Sequence, residues 1–444
     1  MTQDKMQKPG DVQVSSVWIY SSENNIPLDI STIWENITFF EDMTKSYILG
    51  QLVFEDTQNL IQTTPILMND RIVIRYKTAS AFDYEERVGY IVDIPTRTGS
   101  TGGEGSETVV LEFVSAEFVR SKSLKVRKSY NNTFISDMVK DIHTQYLAPA
   151  SGKSFTVADT LVPDSKVIPN ISPIAAINWL AKWAKSPLYR DAATFQFFEN
   201  RTGYFFVPIE ALIDKKNTNV VANYSVSIAN SQEILDDVQQ GFTNMSVYIP
   251  QTKNHLVMLE DGTYASTILI HDPILRTIQK KSLNYYDDKL NQVNLNDYKI
   301  HNDERFGVLS DSCFVIVPKQ SYAYSKIDDI SASRTYETKL ARMSKLAQFD
   351  NMSMRISVPG DSERTIGEVI HLDIPSRGLN NYDEYRGQHD KYLSGRYLIH
   401  SLRQEITRNP AGSVRFTTHM RVIKDSMFEK LPTKTIFDKT TIPT

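Results

Sequence analysis

Met352-Ser-Met-Arg-Ile-Ser-Val358 and Val414-Arg-Phe-Thr-Thr-His-Met-Arg-Val422 are the two stretches whose reading decides the fold. In both, apolar residues recur at every second position, the period of a strand whose two faces meet different surroundings. Val414, Phe416, Thr418, Met420 and Val422 share one face of the second stretch, and Arg415, Thr417, His419 and Arg421 share the other. The expected sheet buries one side and keeps a wet, basic side. A Pro359-Gly360-Asp361 turn follows the first stretch, and three more strands complete a block over residues 352–423, the last of them at 414–422.

A similar block lies near the N-terminus. Strands are expected around Leu52 and Phe54, at Arg71-Ile-Val-Ile-Arg-Tyr76, at Val88-Gly-Tyr-Ile-Val-Asp-Ile94 and at Thr108-Val-Val-Leu-Glu-Phe-Val114. Gly89-Tyr-Ile-Val92 answers Arg396-Tyr-Leu-Ile399, Ile72-Val-Ile74 answers Ile370-His-Leu372, and the following strands centre on Val110 and Phe416. This correspondence reads as an internal duplication. The run from Pro95 to Glu107, with Gly99, Gly102, Gly103 and Gly105, reads as a flexible connector. A phosphate-cradling loop would need a helix start after it and, in the P-loop case, a lysine.

Between the blocks the period changes. Phe134, Ile135, Met138, Val139, Ile142 and Tyr146 have helical spacing, and Ser172-Pro173 offers an N-cap and first-turn proline for a helix through Ala184. Phe195-Gln-Phe-Phe198 and Tyr204-Phe-Phe-Val207 flank the turn Asn200-Arg-Thr-Gly203, so a small α+β domain is expected. Residues 216–335 are polar and tyrosine-rich and read as strands broken by long insertions. A helix from Arg334 to Phe349 leads into the last block, and the Lys-, Thr- and Pro-bearing tail after Asp425 is expected to be loose until something docks on it.

At 444 residues the chain exceeds one ordinary core, and about 150 residues per domain predicts three or four domains. Hydrophobic content of 41% and charged content of 23% are those of a folded protein, and a net charge of −4 gives no support to sequence-independent nucleic-acid binding. The single Cys313 excludes an intramolecular disulfide and a cysteine zinc site, and fits a reducing cytosol. No apolar run approaches the roughly 20 residues needed to span a bilayer, and the N-terminus lacks a secretory pattern. The 22 tyrosines and 20 phenylalanines suit strands and interfaces alike.

Catalytic constellations are weak. Asp361 with Glu363 and Glu368 with Asp373 are the carboxylate pairs a glycosidase would use, yet Asp361 sits in a turn where Asp is expected for backbone hydrogen bonding, and Asp373 reads as an exposed strand position. Asp236-Asp237, Asp287-Asp288 and Asp328-Asp329 lack calcium-loop spacing. The eight histidines, His371 and His419 among them, show no zinc pattern, and no Gly-x-Ser-x-Gly elbow surrounds Ser357 or Ser394. No catalytic, cofactor-binding or metal-ligating residue is assigned.

Several segments, in order, resemble the baseplate central hub proteins of contractile-tailed bacteriophages. They are Trp34-Glu-Asn-Ile-Thr, Gly50-Gln-Leu-Val-Phe-Glu-Asp56, Leu60-Ile-Gln-Thr-Thr-Pro-Ile66, Ile174-Ala-Ala-Ile-Asn-Trp-Leu-Ala181, Phe197-Phe-Glu-Asn-Arg-Thr-Gly-Tyr204, Gly262-Thr-Tyr-Ala-Ser-Thr-Ile-Leu269, Ser357-Val-Pro-Gly-Asp361, Ile366-Gly-Glu-Val369 and Leu393-Ser-Gly-Arg-Tyr-Leu398. The likeness runs over most of residues 15–425, and the middle third and the tail match poorly. It implies an α+β, mainly β fold with two tube-type antiparallel β-barrels. The first would occupy 1–120, a small α+β domain 121–215, the second barrel 216–252 with 336–424, an insertion domain 253–335 and a flexible tail 425–444. It further implies a homotrimer without cofactor or membrane anchoring, located in the virion's tail baseplate and assembled in the host cytoplasm. The implied partners are a central spike protein, a tail tube protein, baseplate wedge proteins, and a tape-measure protein or genome passing through the channel. Arg415, Thr417, His419 and Arg421 are then candidates for an interface or the lumen. The rival readings are the hub or spike subunit of a phage-like contractile injection system, and a tail-associated peptidoglycan hydrolase or carbohydrate-binding module.

Overall fold

The computed structural model describes residues 10–21, 27–64, 66–78, 81, 83–99, 105–189, 192–225, 246–252, 254–272, 276–284, 293–299, 314–318, 331–349, 352–375, 389–409 and 412–429. Alternating sequence gives alternating burial from the first strand onward. β1 (Val12–Tyr20) turns Val17 and Ile19 inward and Trp18 outward. It is followed by β2 (Pro27–Asp29), β3 (Trp34–Asp42), β4 (Leu49–Asp56), one helical turn α1 (Leu60–Thr63), β5 (Arg71–Thr78), β6 (Glu85–Gly99) and β7 (Glu107–Val114). All pairs are antiparallel, in the order β3-β4-β7-β6-β5-β1-β2. Where Pro95 led to the expectation of a connector, the strand continues through Gly99. Register shifts on either side of Asp93 absorb the proline, which is tolerated at bulges because no ladder hydrogen bond is required of it there.

A small α+β unit follows, with α2 (Ala116–Ser123), β8 (Ser129–Phe134), α3 (Ile135–Ile142), β9 (Ser154–Val157), β10 (Pro163–Val167), α4 (Pro173–Ala181), β11 (Phe195–Asn200), β12 (Gly203–Pro208) and α5 (Ile209–Ile213). The helical spacing around Met138 buries Met138, Val139 and Ile142 against Ile177, Leu180, Phe195 and Phe206. Pro173 opens α4 as expected, but the Ser172 side chain makes no capping bond and the helix stops at Ala181.

The remaining elements are β13 (Val220–Ser225), β14 (Ser246–Thr252), α6 (His255–Glu260), β15 (Ala265–Asp272), β16 (Thr277–Asn284), β17 (Tyr298–Lys299), β18 (Phe314–Pro318), α7 (Ser331–Phe349), β19 (Met352–Pro359), β20 (Val369–Asp373), β21 (Gly395–Arg408), β22 (Val414–Lys424) and β23 (Ser426–Met427). β16-β15-β18 form a separate small sheet covered by α7 through Leu340, Ile268 and Ile270. The other large strands run β14-β19-β22-β21-β20 and are antiparallel. Substituting β3, β4, β7, β6 and β5 in turn reproduces that order, and the chain order of the two sets is also the same. The structure therefore carries one five-strand motif twice. The outer strand differs: β1 joins β5 antiparallel, whereas β13 joins β20 parallel.

The bulge after Ile91 in β6 matches the bulge after Ile399 in β21, which aligns Tyr90 with Leu398, one residue off the pairing expected from sequence. At this register Gly50, Phe113 and Gly89 of the first motif occupy the places of Met354, Val422 and Tyr397 in the second. A Cβ on Gly50 would lie 2.0 Å from the Phe113 ring, and one on Gly89 would lie 2.3 Å from it. One motif thus puts its bulk on the middle strand and the other on the two flanking strands. In the first motif the Phe113 ring fills the space over both glycines, so a side chain at either would overpack it.

The two motifs are fused. β3 and β21 pair antiparallel from Asn36↔Thr407 to Asp42↔Ser401, so a single sheet crosses from one to the other. β21 and β22 outlast their own motif: Leu398, Ile399, Met420 and Val422 lie in the second core, while Ile406 and Phe416 enter the first. Phe416 packs edge-on to Tyr76, which stacks on Phe39, which meets Phe113 edge-on. An Asp11↔Arg415 bridge then joins the start of β22 back to the start of β1. The first barrel is therefore closed by strands from the C-terminal end of the chain.

Candidate assembly interface

The fused sheet has an outward face shared by both motifs. On β22 the burial alternates as the sequence predicts: Phe416, Thr418, Met420 and Val422 are buried, Arg415 is exposed, and Thr417, His419 and Arg421 are half-buried. Register carries this face sideways. Arg421 lies between Arg355 and Ser401, His419 between Ser357 and Arg403, and Thr417 between Pro359 and Glu405. Across the β3–β21 seam, Arg403 meets Phe40, Glu405 meets Thr38 and Thr407 meets Asn36. The four candidate residues thus share one surface, and Arg415 marks its end at the Asp11 bridge.

The centre of this surface is a polar network. Ser357 Oγ lies 2.6 Å from His419 Nδ1, and His419 Nε2 lies 3.6 Å from Glu405. Glu405 also pairs with Arg403 at 3.0 Å and accepts a 3.0 Å hydrogen bond from Asn36 Nδ2. Arg403 extends over the Phe40 ring. Partial burial lowers the His419 pKa below its ordinary value; Glu405 pulls it back up, and Arg403 acts with burial. A serine, a histidine and a carboxylate in line have the composition of a hydrolytic triad. Yet Ser357 sits within a ladder, opposite Ser246 on one side and His419 on the other, in place of the turn that would aim free N–H groups at an oxyanion. Glu405, Arg403 and Asn36 were not singled out by sequence, and Ser357 was weighed only as a nucleophile without an elbow. The period-two run of Arg403, Glu405 and Thr407 was the available signal.

The carboxylates weighed for catalysis are engaged elsewhere. Asp361 and Glu368 flank Arg364, at 3.0 and 3.2 Å, and Asp361 also accepts from the Glu363 N–H as its turn position requires. Burial raises the Glu368 pKa and Arg364 opposes the rise. Asp373 pairs with His389 rather than Glu368. Asp236-Asp237, Asp287-Asp288, Asp328-Asp329 and Cys313 lie outside the described residues. Among the described residues, no group of three or more His, Cys, Asp or Glu side chains is placed to hold a metal ion, and no helix is long and apolar enough to cross a membrane.

A cleft of about 400 Å³ opens between the first barrel and the small α+β unit, lined by residues that include Arg71, Glu85, Arg87, Tyr90, Lys153 and Arg201. Its charges compensate one another. Arg87 lies 3.6 Å from the fully buried Glu41 and 3.2 Å from Glu85, and Arg201 lies 3.2 Å from Glu85. Lys153 bonds Glu199, which in turn accepts from Ser115 and from the Ile48 N–H. Burial raises the pKa of both Glu41 and Glu199. This network clamps the small unit to the barrel.

No protein-family model matches the chain, and no curated protein matches it in sequence. Solved structures do. The tail protein from Neisseria meningitidis MC58 superposes with a TM-score of 0.54 at 11% identity, covering 94% of this chain and 97% of its own. The chain has a tail-protein fold. The 43 kDa tail protein of prophage MuSo2 from Shewanella oneidensis gives 0.52 at 10% identity, covering 92% of this chain and 98% of its own. Both comparisons span nearly whole chains, and the expected α+β, mainly β class is the one found.

Proposed function

We propose that this chain is the trimeric baseplate hub of a contractile tail, joining a sixfold tail tube to a threefold central spike and lining the delivery channel. One observation carries the reading: a five-strand motif occurs twice in one chain, with the two copies joined edge to edge through β3 and β21. A threefold axis acting on such a chain presents six near-equivalent motifs, which is what a sixfold tube requires of its neighbour. Full-length likeness to two tail proteins supports the same placement.

In this reading the outward face bearing Arg415, Thr417, His419 and Arg421 lines the lumen or meets a neighbouring protein. The interface between copies would be of the obligate class, above about 2,000 Å². Partners would be the spike, the tube and wedge proteins, with a tape-measure protein or genome in transit, and the site of action would be the virion baseplate. A phage-like contractile injection system would use the same geometry and is the second reading. The hydrolase reading is weakened by Arg364, which binds both Asp361 and Glu368.

The test is the solution mass of the purified chain, alone and with its spike and tube proteins, together with Arg415→Glu and Arg421→Glu. A mass three times that of the chain, and a double variant that trimerises but blocks assembly or delivery, are expected. A monomer at all concentrations, or lysis of peptidoglycan that is lost on changing Asp361 or Glu368, would overturn the assignment.

A further inference from the structure

The repeat specifies more than an oligomer. Inside the chain, β3 of the first motif pairs with the far half of β21 in the second, from Asn36↔Thr407 to Asp42↔Ser401. The equivalent of β3 in the second motif is β14, and the equivalent of β21 in the first is β6. β14 pairs with β19 on one side, and among the described residues it has no ladder on the other. β6 pairs with β5 only from Glu85 to Tyr90, so among the described residues its far half, Asp93 to Gly99, pairs with β7 alone. Among the described residues, the fused sheet therefore presents two open edges that are the counterparts of the two edges it has already joined.

From this we infer that β14 of one copy pairs antiparallel with the far half of β6 in the next copy, in the register of the internal β3–β21 seam. Matching bulges fixes that register. Glu405↔Thr38 translates to Thr98↔Tyr248, Arg403↔Phe40 to Thr96↔Gln251, and Ile406↔Ile37 to Gly99↔Val247. The inference rests on the proposed trimer and names its contact. Each copy offers one edge to one neighbour and the other edge to the next, so the contact is heterologous, and a rotation of one third of a turn per copy closes it as a ring of three.

Two prolines test the register. Pro95 and Pro250 each fall within a register shift, between Asp93 and Thr96 in β6 and between Tyr248 and Gln251 in β14. These shifts lie in the β6–β7 and β14–β19 ladders; a proline removes a ladder donor and is accommodated at a bulge, so the predicted seam is expected to be irregular at both prolines and regular on either side of them. The competing reading is that these prolines protect an edge from pairing at all. The two readings give opposite results in solution.

The experiment uses the full chain with Cys313→Ser, into which Thr98→Cys and Tyr248→Cys are introduced, with Thr96→Cys and Gln251→Cys as a second pair. Directly opposed residues in an antiparallel ladder have Cα atoms about 4.5–5.5 Å apart, within the roughly 4.4–6.8 Å that a disulfide spans. Mild oxidation is expected to convert most of the chain of at least one pair to a covalent trimer on a denaturing gel. Each single-cysteine variant, and the mismatched pair Asp93→Cys with Tyr248→Cys, should give none. A trimer by mass that cross-links through neither matched pair would overturn this seam and leave the trimeric reading standing. A chain that stays monomeric would overturn both and identify the prolines as edge protection.

Discussion

Replacing Phe416 with alanine tests whether the C-terminal strands complete the N-terminal barrel. The side chain is 1% exposed, lies in the first core, and meets Tyr76 edge-on with ring centroids 6.1 Å apart. A buried Phe→Ala change costs about 3–5 kcal/mol, of which about 0.5–1.5 reflects the lost aromatic pair. At about 1.4 kcal/mol per decade, amides protected by the first core should exchange about two to three and a half orders of magnitude faster. Hydrogen exchange read by mass spectrometry on intact protein resolves the two cores. Peptides covering β1 (Val12–Tyr20) and β5 (Arg71–Thr78) should lose protection, although position 416 is more than three hundred residues away in sequence. Peptides covering β19 and β20 should change far less. The opposite pattern, with the second core loosened and the first intact, would refute the shared-strand description.

Other outcomes follow from the same contacts. The buried pair Lys345–Asp425, at 2% and 0% exposure, joins α7 to the end of β22, and Asp425 also accepts from the Leu295 N–H; Asp425→Ala strands the ammonium and should cost about 3–5 kcal/mol, seen as faster exchange in residues 293–299. Gly50→Ala should cost about 1–3 kcal/mol by overpacking the Phe113 ring, and adding Phe113→Val, the second motif's choice, should restore part of the loss in urea titrations. Burial pushes the Lys424 ammonium from 10.5 down to about 7, with Asp390 opposing. The unfolded chain therefore holds this proton across that window while the folded chain releases it, so this contribution to stability grows as pH rises from about 7 towards 10. The melting temperature of the wild type should gain on that of Lys424→Met over this range, and a constant gap would refute the assignment.

Strand positions were legible because alternation at 352–358 and 414–422 is a local property. The duplication was only half legible. Gly50, Phe113 and Gly89 against Met354, Val422 and Tyr397 show why: one core layer is filled from the middle strand in the first motif and chiefly from the flanking strands in the second, so matching residues disagree in size even where the backbone repeats. Pro95 misled for a related reason, since a proline argues locally for a strand end and only the shifts around Asp93 show how the strand passes it. The outward face was legible on β22, but its partners were not. Asn36 and Thr407 meet across 371 positions, and no sequence period encodes a register of that range.

The place of the extra sheet bears on how six could become three. β14 and β19 correspond to β3 and β4, which are joined by the short segment between Asp42 and Leu49, whereas β15–β18 and α7 all fall between Thr252 and Met352. The insertion therefore occupies one hairpin end of one motif and leaves the five-strand order undisturbed, as loop insertions do. It is held to that motif by polar bonds as much as by apolar packing: Lys345 to Asp425, and Asn296 to the backbone of Arg396 and Ser426. Under the proposed threefold arrangement the motifs would supply six similar edges, and the insertion, present on alternate motifs only, would supply three projections. The quasi-equivalence that suits a tube and the asymmetry that suits a spike would then come from the same chain, the first from the repeat and the second from what interrupts it.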